Sequence, residues 1–283
     1  MSRTVYVNGS FVPEDDAKIS VFDRAFLFAE GVYEVTAVLG GRPDRSRKSS
    51  RAPRPLARRD ADRTPAQPCA SSARLHAELI ALNKVEEGVV YLEITRGVAD
   101  RDFLYPEGVP PTVVAFTQSR PLLDNPYAET GVKVITLPDL RWKRRDIKST
   151  ALLAQTMGKQ EAKRRGAYEA WMVENGFVTE GTSSTAFILD VNGTIRTQPL
   201  GHHILPGVTR RAVLRLAQEE GLAIEERPFT VAEAMQAREA FLTAASAFVL
   251  AGGGDRRKPI GDGRPGPVAQ EFRRLYIEEA GKG

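Results

Sequence analysis

Cysteine is nearly absent: Cys69 is the single one in 283 residues. One thiol cannot build an internal disulfide framework, and its solitude fits a reducing, cytoplasmic setting. Histidine is scarce as well, with three in the chain, so a structural zinc site is not expected. No apolar run approaches the length needed to span a membrane. The start, Met1-Ser2-Arg3-Thr4, runs directly into Val5-Tyr6-Val7 with no signal-peptide pattern. A large excess of one charge sign is also missing from most of the chain. The formal net charge is +4, but residues 42–74 hold ten Lys/Arg against three Asp/Glu, a net of +7, which leaves the remainder near −3. A basic face for nucleic acid would be spread differently, so no nucleic-acid partner is expected.

What is present reads as a mixed α+β chain in two lobes. Asn8-Gly9 between Val5-Tyr6-Val7 and Ser10-Phe11-Val12 predicts a hairpin with a type I′ turn, since both residues tolerate positive φ. The β-branched runs 31–39, 89–96, 112–117 and 132–137 predict strands. Leu75, Leu79 and Leu82 predict a helix over 74–82, and Leu153, Met157 and Glu161 step along another over 150–165. Further hairpins are expected at Asn175-Gly176 and Asn192-Gly193. A helix over 209–220 should stop at Gly221, and Thr230-Val231-Ala232-Glu233 is a capping box that opens another. A short strand at 241–244 and a helix carrying Val268, Phe272 and Leu275 complete the pattern. The expected organisation is a small domain over 1–120, a polar linker over 121–131 and a larger domain over 132–283.

Residues 43–73 break this pattern, with five prolines, one leucine and no aromatic residue. Such a stretch cannot bury enough apolar surface to offset its ordering entropy. Two readings stand: a basic surface loop, or a stretch translated out of frame. The genetic code allows Arg47 through Pro65 to be re-read, one base over, as an amphipathic string containing His-Leu-Asp-Arg. The arginine codon of that string overlaps Pro55 and Leu56.

Two short stretches carry chemistry. Asp146-Ile147-Lys148-Ser149 offers a lysine, and Val178-Thr179-Glu180-Gly181-Thr182-Ser183-Ser184 offers a carboxylate on a hydroxyl-rich turn. A deprotonated lysine forms a Schiff base with an aldehyde, and a carboxylate can hold a ring nitrogen protonated. Taken alone, either residue would read as solvated surface. The wider order of motifs singles them out: Tyr6-Val7-Asn8-Gly9, Asp23-Arg24, Gly31-Val32-Tyr33-Glu34, Thr95-Arg96-Gly97, the lysine and glutamate stretches, and Gly207-Val208-Thr209-Arg210.

This order resembles the fold-type IV, or class IV, aminotransferases, and most of all their D-amino-acid members. The likeness covers nearly the whole chain outside 43–73. It implies a two-domain fold: a small N-terminal α/β domain and a larger, β-barrel-like domain with helices. It implies pyridoxal 5′-phosphate as cofactor, amino acids and 2-oxo acids as substrates, no metal, and a homodimer. By the same resemblance Lys148 carries the Schiff base and shuttles the proton. Glu180 bonds the ring nitrogen, with Arg141 behind it, and Leu205 packs on the ring. Val208, Thr209 and Ser246 hold the phosphate, while Tyr33 and Arg101 hold the substrate carboxylate. Phe103 stands where the D-amino-acid members have a histidine, and Ala244 and Ala245 lack hydroxyls that relatives carry. The family's phosphate arginine, in a His-hydrophobe-Asp-Arg element, falls in the anomalous segment, where Arg54 or Arg51 is the nearest substitute. Losing such a contact costs about 1.5–3 kcal/mol, roughly ten- to a hundred-fold in affinity. The leading expectation is transamination of D-alanine-type substrates with 2-oxoglutarate. The alternatives are a branched-chain or other class IV aminotransferase, the related aminodeoxychorismate lyase, and a non-catalytic product disrupted at 43–73.

Overall fold

The structure is a computed structural model that describes residues 2–44, 71–252, 254–255 and 258–281. The readings of 45–70, including Arg51, Arg54 and the out-of-frame string, lie outside the described residues. The chain divides into two compact units. The first contains residues 1–121 and takes in Lys148–Ala151; the second contains 122–147 and 152–282.

In the first unit the chain forms β1 (Thr4–Val7), β2 (Ser10–Pro13), α1 (Arg24–Phe28), β3 (Gly31–Leu39), β4 (Arg42–Pro43), α2 (Ser71–Asn83), β5 (Glu87–Thr95) and β6 (Val113–Ser119). The six strands make one antiparallel sheet in the order β2-β1-β6-β5-β3-β4. Asn8 and Gly9 both take positive φ, +47° and +101°, as the type I′ turn requires. Alternation along the long central strands sorts the side chains. Val38, Val90, Leu92 and Ala115 bury one face beneath Leu79 and Ile80 of α2. The other face carries Tyr33, Tyr91, Glu93 and Phe116. The helix differs from the expected spacing, because Leu82 is exposed and Ile80 takes its place in the core. Asn83 ends α2 by accepting from the Thr4 N–H (2.7 Å) and donating to the Thr4 carbonyl (2.9 Å), which ties the helix to β1.

The second unit holds α3 (Tyr127–Thr130), β7 (Val134–Pro138), α4 (Leu153–Arg164), β8 (Glu169–Glu174), β9 (Phe177–Gly181), β10 (Thr185–Leu189), β11 (Ile195–Thr197), α5 (Val208–Glu219), β12 (Ile224–Glu226), α6 (Val231–Gln236), β13 (Glu239–Ala244), β14 (Phe248–Ala251), β15 (Gly254–Asp255), β16 (Lys258–Pro259) and α7 (Pro267–Gly281). Strands order as β12-β11-β10-β13-β14, as β7-β8-β9 and as the pair β15-β16. Among the described residues none of these sheets closes into a barrel. Phe187 and Phe241 are cross-strand partners that stack 4.9 Å apart, with Phe272 of α7 edge-on to Phe241 at 5.9 Å. The opposite face of the same strands, with Ala186, Ile188 and Leu242, joins Val178 and Phe229 in the other core.

Two local expectations need correction or refinement. In α4, Leu153 and Met157 are 74% and 60% exposed, and the helix packs through Gly158 and Ala162 instead. A Cβ at Gly158 would stand 2.8 Å from Met172 Cε and 2.9 Å from Thr182 Cγ2, so close approach selects small residues on that face. The turn after β10 is longer than two residues, because the Asp190 carboxylate accepts from the N–H groups of Asn192 and Thr194, both at 2.9 Å. The capping box at Thr230 and Glu233 forms as the sequence predicts. No described helix is long and apolar enough to cross a membrane, and no described cluster of His, Cys, Asp and Glu could hold a metal ion.

Candidate active site

The lysine segment runs beside the start of β3. Tyr33 N–H donates to the Lys148 carbonyl (2.9 Å), and Thr150 N–H donates to the Gly31 carbonyl (3.0 Å). Lys148 Nζ stands 4.5 Å from the centroid of the Tyr33 ring. Gly31 keeps this crossing close, since a Cβ would lie 3.1–3.3 Å from Thr150 and Ala25 side-chain atoms and would force them to shift. Tyr33 in turn stacks on Tyr91 (5.3 Å), whose hydroxyl donates to Glu93 (2.7 Å), the residue opposite Tyr33 in register. Burial pushes the Glu93 carboxyl above its ordinary value, against the Tyr91 hydrogen bond. Glu93 has no signal in the sequence, because only strand register places it beside Tyr33.

Arg101 sits on an exposed loop after β5, and among the described residues it has no hydrogen bond or ion pair. Its guanidinium lies over Phe28 (5.3 Å) and Phe103 (5.5 Å). Phe103 therefore supports Arg101 by a cation–π contact where a histidine would offer a hydrogen bond. The loop is held from below by fully buried Arg24, whose Nη1 donates to the Asp102 carbonyl (2.8 Å) while Nε and Nη2 grip Glu30 (2.7 and 2.8 Å). Tyr33 and Arg101 share no direct contact.

The second unit assembles the carboxylate end. β9 carries Glu180, 5% exposed, and Arg141 Nη1 donates to its Oε1. The Leu205 N–H donates to Oε2 (3.2 Å), so Leu205 is brought to the same carboxylate. Burial raises the Glu180 carboxyl, with Arg141 and the Leu205 N–H opposing. Glu169, 1% exposed, gathers the hydroxyls of Thr182, Ser183 and Ser184 and fixes the turn after Glu180. Asp139 and Arg145 back Arg141. These three were invisible in the sequence, since they are charged residues whose burial appears only in the fold.

α5 begins at Val208 after Gly207, which has no side chain with which to cap the helix. Thr209 is 2% exposed and its Oγ1 has no hydrogen-bond partner. A buried, orphaned hydroxyl beside free first-turn N–H groups suits a phosphate. Ser246 lies in the connection between β13 and β14. Within the second unit, a buried carboxylate and a helix N-terminus with a spare hydroxyl are chemically suited to the ring nitrogen and phosphate of a phosphorylated pyridine, and in the first unit the Lys148 amine is suited to its aldehyde.

The amino-transferase class IV family matches residues 68–251. A D-alanine aminotransferase of Staphylococcus aureus (strain MSSA476) is 33% identical over 97% of this chain and 98% of its own length. Its Bacillus licheniformis counterpart is 36% identical over 94% and 93%. The chain belongs to the class IV aminotransferases. It is a pyridoxal 5′-phosphate-dependent aminotransferase. Among solved structures, the branched-chain aminotransferase of the archaeon Thermoproteus uzoniensis with norvaline superposes with a TM-score of 0.81 at 23% identity, covering 100% of this chain and 96% of that one. A hypothetical aminotransferase from Mycobacterium tuberculosis, in its PLP-bound form, gives 0.77 at 20% identity over 98% of each. At such identities the likeness shows the class IV fold, which is the α+β architecture described above.

Proposed function

We propose that this class IV aminotransferase moves amino groups between D-amino acids and 2-oxo acids, with D-alanine as donor and 2-oxoglutarate as acceptor. The identity to D-alanine aminotransferases over nearly the full chain carries this choice. Bound pyridoxal 5′-phosphate supplies an electron sink for the charge left at the substrate Cα. Lys148 Nζ is the group that removes and returns the Cα proton, and the Tyr33 ring beneath it orients the amine. Glu180 holds the ring-nitrogen proton, and Arg141 and the Leu205 N–H hold Glu180. The Leu205 side chain covers the ring. The N–H groups of Val208 and Thr209, the Thr209 hydroxyl and Ser246 hold the phosphate. Tyr33 and unpaired Arg101 take the substrate carboxylate, where an arginine is the strongest available anchor.

A homodimer and a cytoplasmic setting belong to the same proposal. Support for the dimer is the exposed apolar set Val21, Phe22, Phe26, Phe103 and Leu104, each at least half exposed. Support for the compartment is the lone cysteine. The deciding assay incubates holoenzyme with D-alanine or L-leucine and 2-oxoglutarate. Pyruvate and D-glutamate from D-alanine support the reading. Turnover of L-leucine with none of D-alanine refutes it in favour of a branched-chain activity.

A further inference from the structure

Behind Glu180 the second unit builds a row of alternating charge that ends at the surface. Asp139 grips Arg141 along one edge, with Oδ1 accepting from Nε (2.9 Å) and Oδ2 from Nη2 (2.7 Å). This leaves Nη1 of Arg141 for Glu180. Asp139 also accepts from the Thr179 hydroxyl (2.6 Å) and lies 3.3 Å from Arg145 Nη1. Arg145 reaches on to Glu174 Oε2 at 3.0 Å. Lys143 pairs with Glu174 from the solvent side, and His203 Nδ1 stands 3.8 Å from it. Side-chain exposure along Glu180, Arg141, Asp139, Arg145 and Glu174 runs 7, 4, 0, 1 and 16%.

We propose that Asp139 is a positioning residue that sets the proton affinity at Glu180 through Arg141, and that Arg145 sets the strength of Asp139 in the same way. The inference rests on Glu180 facing the cofactor's ring nitrogen. An arginine alone against a buried carboxylate makes that carboxylate a weak partner for a second proton. Asp139 takes up part of the Arg141 charge, so Glu180 keeps a net negative field for the ring N–H. The directions agree: burial raises the Glu180 carboxyl, the Asp139 charge adds to that, and Arg141 opposes it. Exclusion of water leaves these charges poorly screened, so one unit charge two residues along the row is felt at the ring. Geometry adds direction. The Asp139 grip also fixes the guanidinium plane that presents Nη1 to Glu180.

The test is ring-nitrogen protonation in holoenzyme reconstituted with ring-15N-labelled pyridoxal 5′-phosphate, read from the 15N shift across pH. Asp139→Asn should lower the proton affinity of the ring nitrogen on the order of tenfold. Arg145→Met should move it the opposite way, and Arg145→Lys should leave it near wild type. Glu174→Gln, a milder change at the outer end, should shift it in the Asp139→Asn direction by less, and this variant decides the matter if Asp139→Asn does not fold. Shifts of one sign in all variants, or no shift where cofactor is bound, overturn the inference. Wild-type protein that binds no labelled cofactor overturns the underlying reading instead.

Discussion

Replacing Glu169 with alanine should unlock the turn that presents Glu180. The carboxylate is 1% exposed and accepts from the Ala170 N–H (2.9 Å), the Thr182 N–H (3.2 Å), the Thr182 hydroxyl, and the Ser183 and Ser184 hydroxyls (3.3 and 3.0 Å). Lys159 Nζ stands 3.5 Å away. Glu169→Ala strands the Ala170 N–H and three hydroxyls. The Thr182 N–H retains a bond to the Ala170 carbonyl (3.1 Å), and 40% exposed Lys159 returns to water. Charge-assisted bonds are worth about 1.5–3 kcal/mol each, and they are not additive when the hydroxyls can turn to one another. The expected loss is therefore about 4 kcal/mol, within the range for breaking a buried ionic group. Glu169→Gln keeps one acceptor oxygen and offers an NH₂ that rotated serine hydroxyls can meet, so it should cost only about 1 kcal/mol. Both tryptophans of the chain, Trp142 and Trp171, lie in the second unit, so urea unfolding followed by their fluorescence reports on that unit. With a slope of about 2.5 kcal/mol/M, Glu169→Ala should lower the midpoint by roughly 1.5 M. A midpoint within about 0.4 M of wild type, or equal losses in the two variants, would refute the reasoning.

Thr209→Val should act with opposite signs on the two forms of the protein. Without cofactor it removes a buried, unpartnered hydroxyl and should be neutral or stabilising; with cofactor it should weaken binding about tenfold, read by equilibrium titration. Gly31→Ala should push Thr150 away and displace the Lys148 segment, lowering kcat far more than thermal stability. Acid should weaken the second unit. The hydrogen bond from Arg145, then that from Lys143, holds the Glu174 carboxyl at about 2, against an ordinary 4.5. The unfolded state therefore takes up the proton first, and the stabilisation present above pH 4.5 fades as pH falls toward 2. Glu174→Gln should flatten the pH dependence of the urea midpoint in that window, and an unchanged slope would count against the pair.

Local chemistry made much of the fold legible. Asn8-Gly9 announced its turn because few residue pairs accept positive φ twice, and Thr230 with Glu233 announced a helix start through side-chain reach alone. The long strands β3 and β5 were plain from β-branched runs. The face of α4 was misjudged because an apolar stripe says nothing about what approaches it; there the neighbouring strand comes so near that only Gly158 and Ala162 fit. Lys148 and Glu180, the proposed site residues, stand out in the sequence because their neighbours form ordered motifs. Asp139, Arg145 and Glu169 do not, because a charged residue in a list of charged residues carries no sign that its side chain will be buried. Glu93 needed the register of β3 against β5.

The central claim is that Lys148 is the residue to which the cofactor attaches. Holoenzyme reduced with borohydride and digested should carry the phosphopyridoxyl group on the peptide containing Lys148, and Lys148→Ala should abolish both that label and the absorbance near roughly 410–420 nm. Label on another lysine, or wild-type protein that takes up no cofactor at all, would contradict the account.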